Sequence, residues 1–204
     1  MMSSRPSLAA RVVAALATPL LLLLPLLISP TQTLATTTTT TTQCDGLLPH
    51  YHTIGHTAQQ IVAELGLAPN VEGGYYVESF RDAAPVAPGS NRSASTAIYY
   101  LLEGPDVPSA WHRVLDAAEV WHYYAGAPLV LQLSGNNGTA TRAHVLGPDV
   151  FSGGQRPQVV VAADEWQRAI SCGEWTLVGT TVAPAFDPNA YELAPPGWEP
   201  NDGA

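Results

Sequence analysis

His112 and Glu119 lie in the stretch Ser109-Ala-Trp-His-Arg-Val-Leu-Asp-Ala-Ala-Glu-Val-Trp-His-Tyr-Tyr-Ala-Gly126, on two short apolar runs joined by a small turn. An imidazole titrates near neutral pH, and a neighbouring carboxylate can orient it. Brought together, the two can bind a metal, hold a polar ligand or move a proton. The plainer reading is an internal hydrogen-bonded pair with no ligand. Which reading applies depends on the elements that place them.

Side chains alternate along a strand, so Glu119, Trp121 and Tyr123 share one face and Val120, His122 and Tyr124 the other. On the preceding run Ala110, His112 and Val114 face one way, and Trp111 and Arg113 the other. If an interior receives His112 and Glu119, then Arg113 and His122 point outward, to a rim, a second sheet or a subunit contact. Trp111, Trp121, Tyr99, Tyr100, Tyr123 and Tyr124 read mainly as packing residues. Some could line a pocket, since aromatic walls suit sugar rings and other flat ligands.

Thr57-Ala-Gln-Gln60 has the form of a capping box, followed by Ile61, Val62 and Leu65 at helical spacing and by Gly66 and Pro69 as stops. Beyond this helix the apolar runs shorten. Strands are expected near residues 75–80, 96–103, 110–114, 119–124, 129–133, 141–146, 158–162, 166–171 and 175–182, with Asn136-Asn137-Gly138 as a hairpin turn. Short, evenly spaced strands separated by turn residues predict an all-β sandwich or barrel. The Pro-rich tail, residues 195–204, reads as a flexible end.

The start of the chain is of another kind. Arg5 and Arg11 precede an apolar run from Val12 to Ile28, and Thr33-Leu34-Ala35 is an acceptable cleavage site, so residues 1–35 read as a signal peptide. A signal anchor or an organelle-targeting leader is the alternative, because the run reaches only the lower limit of about 17 residues for a membrane span. Residues 36–54, opening with a threonine tract, read as a disordered tether and arm. The domain proper is residues 55–194, enough for one core.

Without the leader the chain keeps six arginines, no lysine and seventeen acids, a net charge of −11. Such a surface repels phosphate backbones, which argues against nucleic-acid partners. The lack of lysine removes Schiff-base nucleophiles and phosphate-loop lysines. Two cysteines, Cys44 and Cys172, in a secreted or lumenal chain predict a disulfide that ties the arm to the domain; two unpaired thiols are the alternative. Asn91-Arg-Ser93 and Asn137-Gly-Thr139 are glycosylation acceptors in such a compartment.

The spacing His112-x6-Glu119-x6-Gly126 resembles the first cupin motif. So does a longer ordered series: Pro69-Asn-Val-Glu-Gly-Gly-Tyr-Tyr76, Ser95-Thr-Ala-Ile-Tyr-Tyr-Leu-Leu102, His112-Arg113, Glu119-Val-Trp-His-Tyr-Tyr-Ala-Gly126, Leu146-Gly-Pro-Asp149, Pro157-Gln-Val-Val-Val161, Trp166-Gln167 and Thr176-Leu-Val-Gly-Thr-Thr-Val-Ala-Pro184. Together these resemble the cupin family catalogued as a domain of unknown function and related in fold to the dTDP-sugar epimerases. The resemblance implies a double-stranded β-helix, the cupin jelly roll, with one N-terminal helix, often a homodimer, with its site inside the barrel. It makes His112 and Glu119 the candidate catalytic pair, and Glu72, Tyr76, Tyr99, Trp121, Tyr123 and Gln167 candidate ligand contacts.

Departures narrow the chemistry. Val114 stands where the motif has its second His. Ala162-Ala-Asp-Glu-Trp-Gln167 replaces the second motif's Pro, Gly and His. Asn70 stands where the family more often has His. The remaining set, His112, Glu119 and Gln167, would hold a divalent metal only weakly. Three functions follow: an epimerase- or isomerase-like enzyme on a carbohydrate-type ligand, with His112 as base oriented by Glu119; a non-catalytic small-molecule binder; or a metal-dependent enzyme with a reduced ligand set. Few cations are at hand for a nucleotide diphosphate. No Gly-x-Ser-x-Gly elbow or Cys–His pair is present for acyl transfer.

Overall fold

A computed structural model of the chain describes residue 44, residues 55–151 and residues 154–203. The leader and, apart from Cys44, the tether and arm lie outside the described residues. The helix α1 (Ala58–Leu65) starts where the capping box predicts. The Thr57 side chain accepts from Gln60 N, the Gln60 side chain accepts from Thr57 N, and Gly66 closes the helix in the left-handed conformation at φ 65°. Ile61, Val62 and Leu65 pack with Leu67, Leu101 and Trp175. No helix among the described residues is long and apolar enough to cross a membrane.

The rest is almost entirely β: β1 (Ala68–Pro69), β2 (Tyr75–Arg81), β3 (Thr96–Glu103), β4 (His112–Val114), β5 (Ala118–Gly126), β6 (Leu129–Ser134), β7 (Arg142–Leu146), β8 (Gln158–Val161), β9 (Trp166–Ser171), β10 (Trp175–Ala183) and β11 (Tyr191–Leu193). They form a six-stranded sheet in the order β1-β2-β3-β10-β5-β8 and a five-stranded sheet in the order β11-β4-β9-β6-β7. Every pairing between these strands is antiparallel. This is the cupin jelly roll with one N-terminal helix.

Between the sheets lie Tyr100, Leu102, Trp121, Leu129, Leu131, Leu133, Leu146, Val161, Ala169 and Val178, nearly all fully buried. Burial of these apolar faces is the main favourable contribution to folding. The alternation decides who enters: Glu119 and Trp121 are buried, while Tyr124 on the opposite face of β5 is exposed. Cys44 is disulfide-bonded to Cys172, across 128 residues of sequence, and packs with Val130 and Ile170.

Several features differ from the sequence expectation, among them the short strand β1, where Pro69 reads only as a helix stop. The run at residues 110–114 pairs as a strand only from His112. Strand β11 was not anticipated, since three residues are too few to show periodicity; its pairing with β4 aligns Leu193 with His112 and Tyr191 with Val114. The tail read as flexible lies against the five-stranded sheet. Trp198 lies tilted against Trp166 at 4.3 Å between ring centroids and meets Trp111 edge-on, and Glu199 accepts from Trp111 Nε1 and Arg168 Nη1. Apolar rings on both sides hold what composition alone marks as loose.

Candidate functional site

Strand β4 pairs with β9, aligning His112 with Gln167, and its inward face carries His112 and Val114. On the opposite sheet, β5 turns Glu119 and Trp121 inward, beside Thr180 and Val182 of β10. A cavity of about 690 Å³ opens between them, lined by His112, Glu119, Trp121, Tyr100, Tyr191 and Thr180, with Asn70, Glu72 and Tyr76 from the β1–β2 end. Its size is that of a small-molecule site.

His112 is 3% exposed. Its Nδ1 lies 3.0 Å from Ala110 O, which can only accept, so Nδ1 carries a proton and donates. The lone pair of the neutral ring is therefore on Nε2, which stands 3.6 Å from Glu72 Oε2. The Glu72 carboxylate accepts from Tyr191 Oη at 2.7 Å and Asn70 Nδ2 at 3.4 Å. Burial, then the Glu72 charge, pushes the Tyr191 phenol far above the usual range, so it remains a donor. Tyr100 is raised in the same way, first by burial, and donates to Gly73 O at 2.9 Å.

Glu119 belongs to a different network. Trp121 Nε1 donates to Gln167 Oε1 at 2.8 Å, and Gln167 Nε2 donates to Glu119 Oε2 at 2.5 Å. An indole N–H can only donate, so it fixes which end of the Gln167 amide faces Glu119. Burial raises the Glu119 carboxyl, opposed by the His112 charge and by hydrogen bonds from Thr180 and Gln167.

Of the residues expected from sequence, His112, Glu119, Glu72, Tyr76 and Trp121 line the cavity. Gln167 lies behind them, joining Trp121 to Glu119. Tyr99 and Tyr123 do not line it. Tyr99 is on the other face of β3, against Tyr124 and the residues under α1, because Tyr100 takes the inward position. Tyr123 packs against the core, and its hydroxyl donates to Gly126 O at 2.6 Å. The carboxylate at the imidazole Nε2 is Glu72, whereas the sequence suggested Glu119. Sequence reasoning missed Tyr191, and no local signal marks it. Arg113 and His122 point outward. Arg113 lies over Trp166 and pairs with Glu192 and Asp164, and His122 stacks with Tyr124.

The reduced metal set does not fit. Gln167 turns its oxygen to Trp121 Nε1 and its amide N–H to Glu119, so it is engaged in the wall rather than aimed into the cavity, and Val114 has no donor atom at all. Among the described residues no three His, Cys, Asp or Glu side chains are grouped to hold a metal.

The family described as Cupin superfamily (DUF985) matches residues 59–194. A crystal structure of a protein from Shewanella oneidensis is similar at 30% identity and a TM-score of 0.62, covering 68% of this chain and 85% of its own. A hypothetical protein from Leishmania major is similar at 32% identity and a TM-score of 0.60, covering 67% of this chain and 86% of its own. No curated protein matches the chain. With the matched segment spanning the helix, both sheets and every wall of the cavity, the chain belongs to the DUF985 family of the cupin superfamily.

Proposed function

We propose that the cavity binds a small polar carbonyl compound of carbohydrate type, and that His112 moves a proton at the carbon beside the carbonyl, the elementary step of an epimerase or isomerase. The observation that carries this reading is the imidazole: Nδ1 is committed to Ala110 O, leaving Nε2 as the basic atom on the cavity wall beside Glu72. A base so placed takes the carbon-bound proton while the bonding pair moves into the carbonyl, giving an enolate. Glu72 stabilises the imidazolium that results. The hydroxyls of Tyr191 and Thr180 line the cavity and donate to Glu72 and Glu119, and one of them would turn from its carboxylate to the oxygen on which charge develops. A proton delivered to the opposite face by a second acid or by water gives an epimer; passage of the hydroxyl proton between the two enediolate oxygens, with return of the abstracted proton to the former carbonyl carbon, gives an isomer.

The test is hydrogen exchange. Reducing sugars are incubated with the protein in D2O, and loss of the proton next to the carbonyl is followed by NMR. His112→Asn, whose amide can still donate to Ala110 O, should slow exchange about a hundredfold or more. Exchange that survives in this variant removes His112 from the role.

A second reading, binding without turnover, is favoured by one feature. Glu119, the other ionisable group of the expected pair, is tied to Gln167 and held toward its neutral form by burial. Binding of a sugar without exchange would select it. The same proposal includes a secreted or lumenal location and the homodimer that the family resemblance implies, the latter read out by sedimentation.

A further inference from the structure

We infer that the cavity is built for an uncharged ligand, a free polyhydroxylated carbonyl compound, and excludes its phosphorylated and nucleotide-linked forms. The inference rests on the proposed carbohydrate-type site and specifies what that site admits.

An anionic group needs a cation, an oriented array of N–H donors or a helix N-terminus. The sequence has no lysine. Of the six arginines among the described residues only Arg81 lines the cavity, and one edge of its guanidinium is held bidentately by Glu78. Nε donates to Glu78 Oε1 at 2.8 Å and Nη2 to Glu78 Oε2 at 2.6 Å. Glu78 lines the cavity too, so the pair adds no net positive charge. Arg92 is bound to both Asp116 oxygens and to Ala185 O. Arg113 is held by Glu192 and Asp164. Arg142 and Arg168 pair with Glu165 and Glu199, and Arg156 donates to Gln155 O; none of these three lines the cavity. The helix α1 has its N-terminus beside Trp175, whose Nε1 donates to His56 O, away from the cavity.

The walls carry the opposite sign. Beside the mutually neutralised Arg81–Glu78 pair stand the carboxyl groups of Glu72 and Glu119. A phosphate or carboxylate entering here meets carboxylates and no uncommitted cation, and it loses its hydration without replacement. A neutral sugar finds what it needs: carboxylate and amide groups to accept from and donate to hydroxyls, at Glu72 and Asn70, and ring faces of Trp121 and Tyr100 for its C–H faces.

Matched pairs test this. Binding of D-glucose, D-galactose, D-fructose and D-ribose is measured by calorimetry against their terminal phosphates and against UDP-glucose, and each compound is also run in the D2O assay. At least one neutral sugar should bind, with its phosphate at least tenfold weaker. Equal or tighter binding of the phosphate overturns the inference, and so does failure of every neutral sugar to bind. In Glu78→Gln, Arg81 is released at an exposed edge, and the preference for the neutral member should shrink or reverse. An unchanged preference would show that the Arg81–Glu78 pair does not set it, against the inference. The two readings fail separately. A neutral sugar that binds without exchange keeps the ligand class and ends proton transfer. A phosphorylated sugar that exchanges keeps proton transfer and ends the ligand class.

Discussion

At the scale of single residues, the buried chain Trp121–Gln167–Glu119 is the most exacting part of the site. Removing the middle member strands the Trp121 indole N–H and leaves Glu119 with Thr180 alone as a donor. Gln167→Leu should cost about 2 to 4 kcal/mol in urea unfolding, from a lost indole acceptor and a buried carboxyl that loses one of its donors. Glu119 adds a pH dependence whose sign is fixed. Burial raises its folded pKa above the unfolded value, so within that window the native state holds more protons, and native stability falls as pH rises through it. Glu119→Gln has no proton to lose. Its unfolding free energy relative to the wild type should therefore climb across that window and level off above it. A difference that is flat with pH, measured by urea titrations at closely spaced pH, would show that Glu119 titrates as it does in the unfolded chain.

At the scale of elements, the positions that allow no substitution are set by close approach rather than by chemistry. Gly126 ends β5 at φ 92°, and a Cβ there would stand 2.5 Å from Trp175 O and 2.6 Å from its ring. Gly126→Ala combines backbone strain with a clash that neither backbone nor buried ring can relieve. It should destabilise by more than about 2 kcal/mol. The tail is an element too, though it has no regular structure beyond β11. Trp198→Ala removes the ring lying against Trp166 and meeting Trp111, and should cost about 2 kcal/mol in the same measurement. A smaller loss would mean that the tail only rests on the sheet.

At the scale of the whole molecule, the Cys44–Cys172 bridge ties a residue before the helix to the end of β9. A closure of this length should contribute about 2 to 5 kcal/mol by restricting the unfolded chain. Unfolding of a Cys44→Ser, Cys172→Ser double variant, compared with the oxidised wild type, reads that contribution.

Much of this architecture was legible in the sequence, because local rules decide it. Alternation turned His112 and Glu119 inward and Arg113 and His122 outward. The Thr57 and Gln60 types fixed the helix start, and short runs between turn residues specified an all-β chain. What only the tertiary structure decided is which inward groups meet. Glu72 comes from the β1–β2 turn and Tyr191 from a three-residue strand 119 residues later, and they converge on one imidazole because β11 pairs with β4 at the cavity edge. Periodicity assigns a side chain to a face but carries no information about its neighbours across the barrel. The partner of His112, the supporting role of Gln167 and the pairing of the arginines were therefore settled by sheet closure, which brings together residues that no local pattern connects.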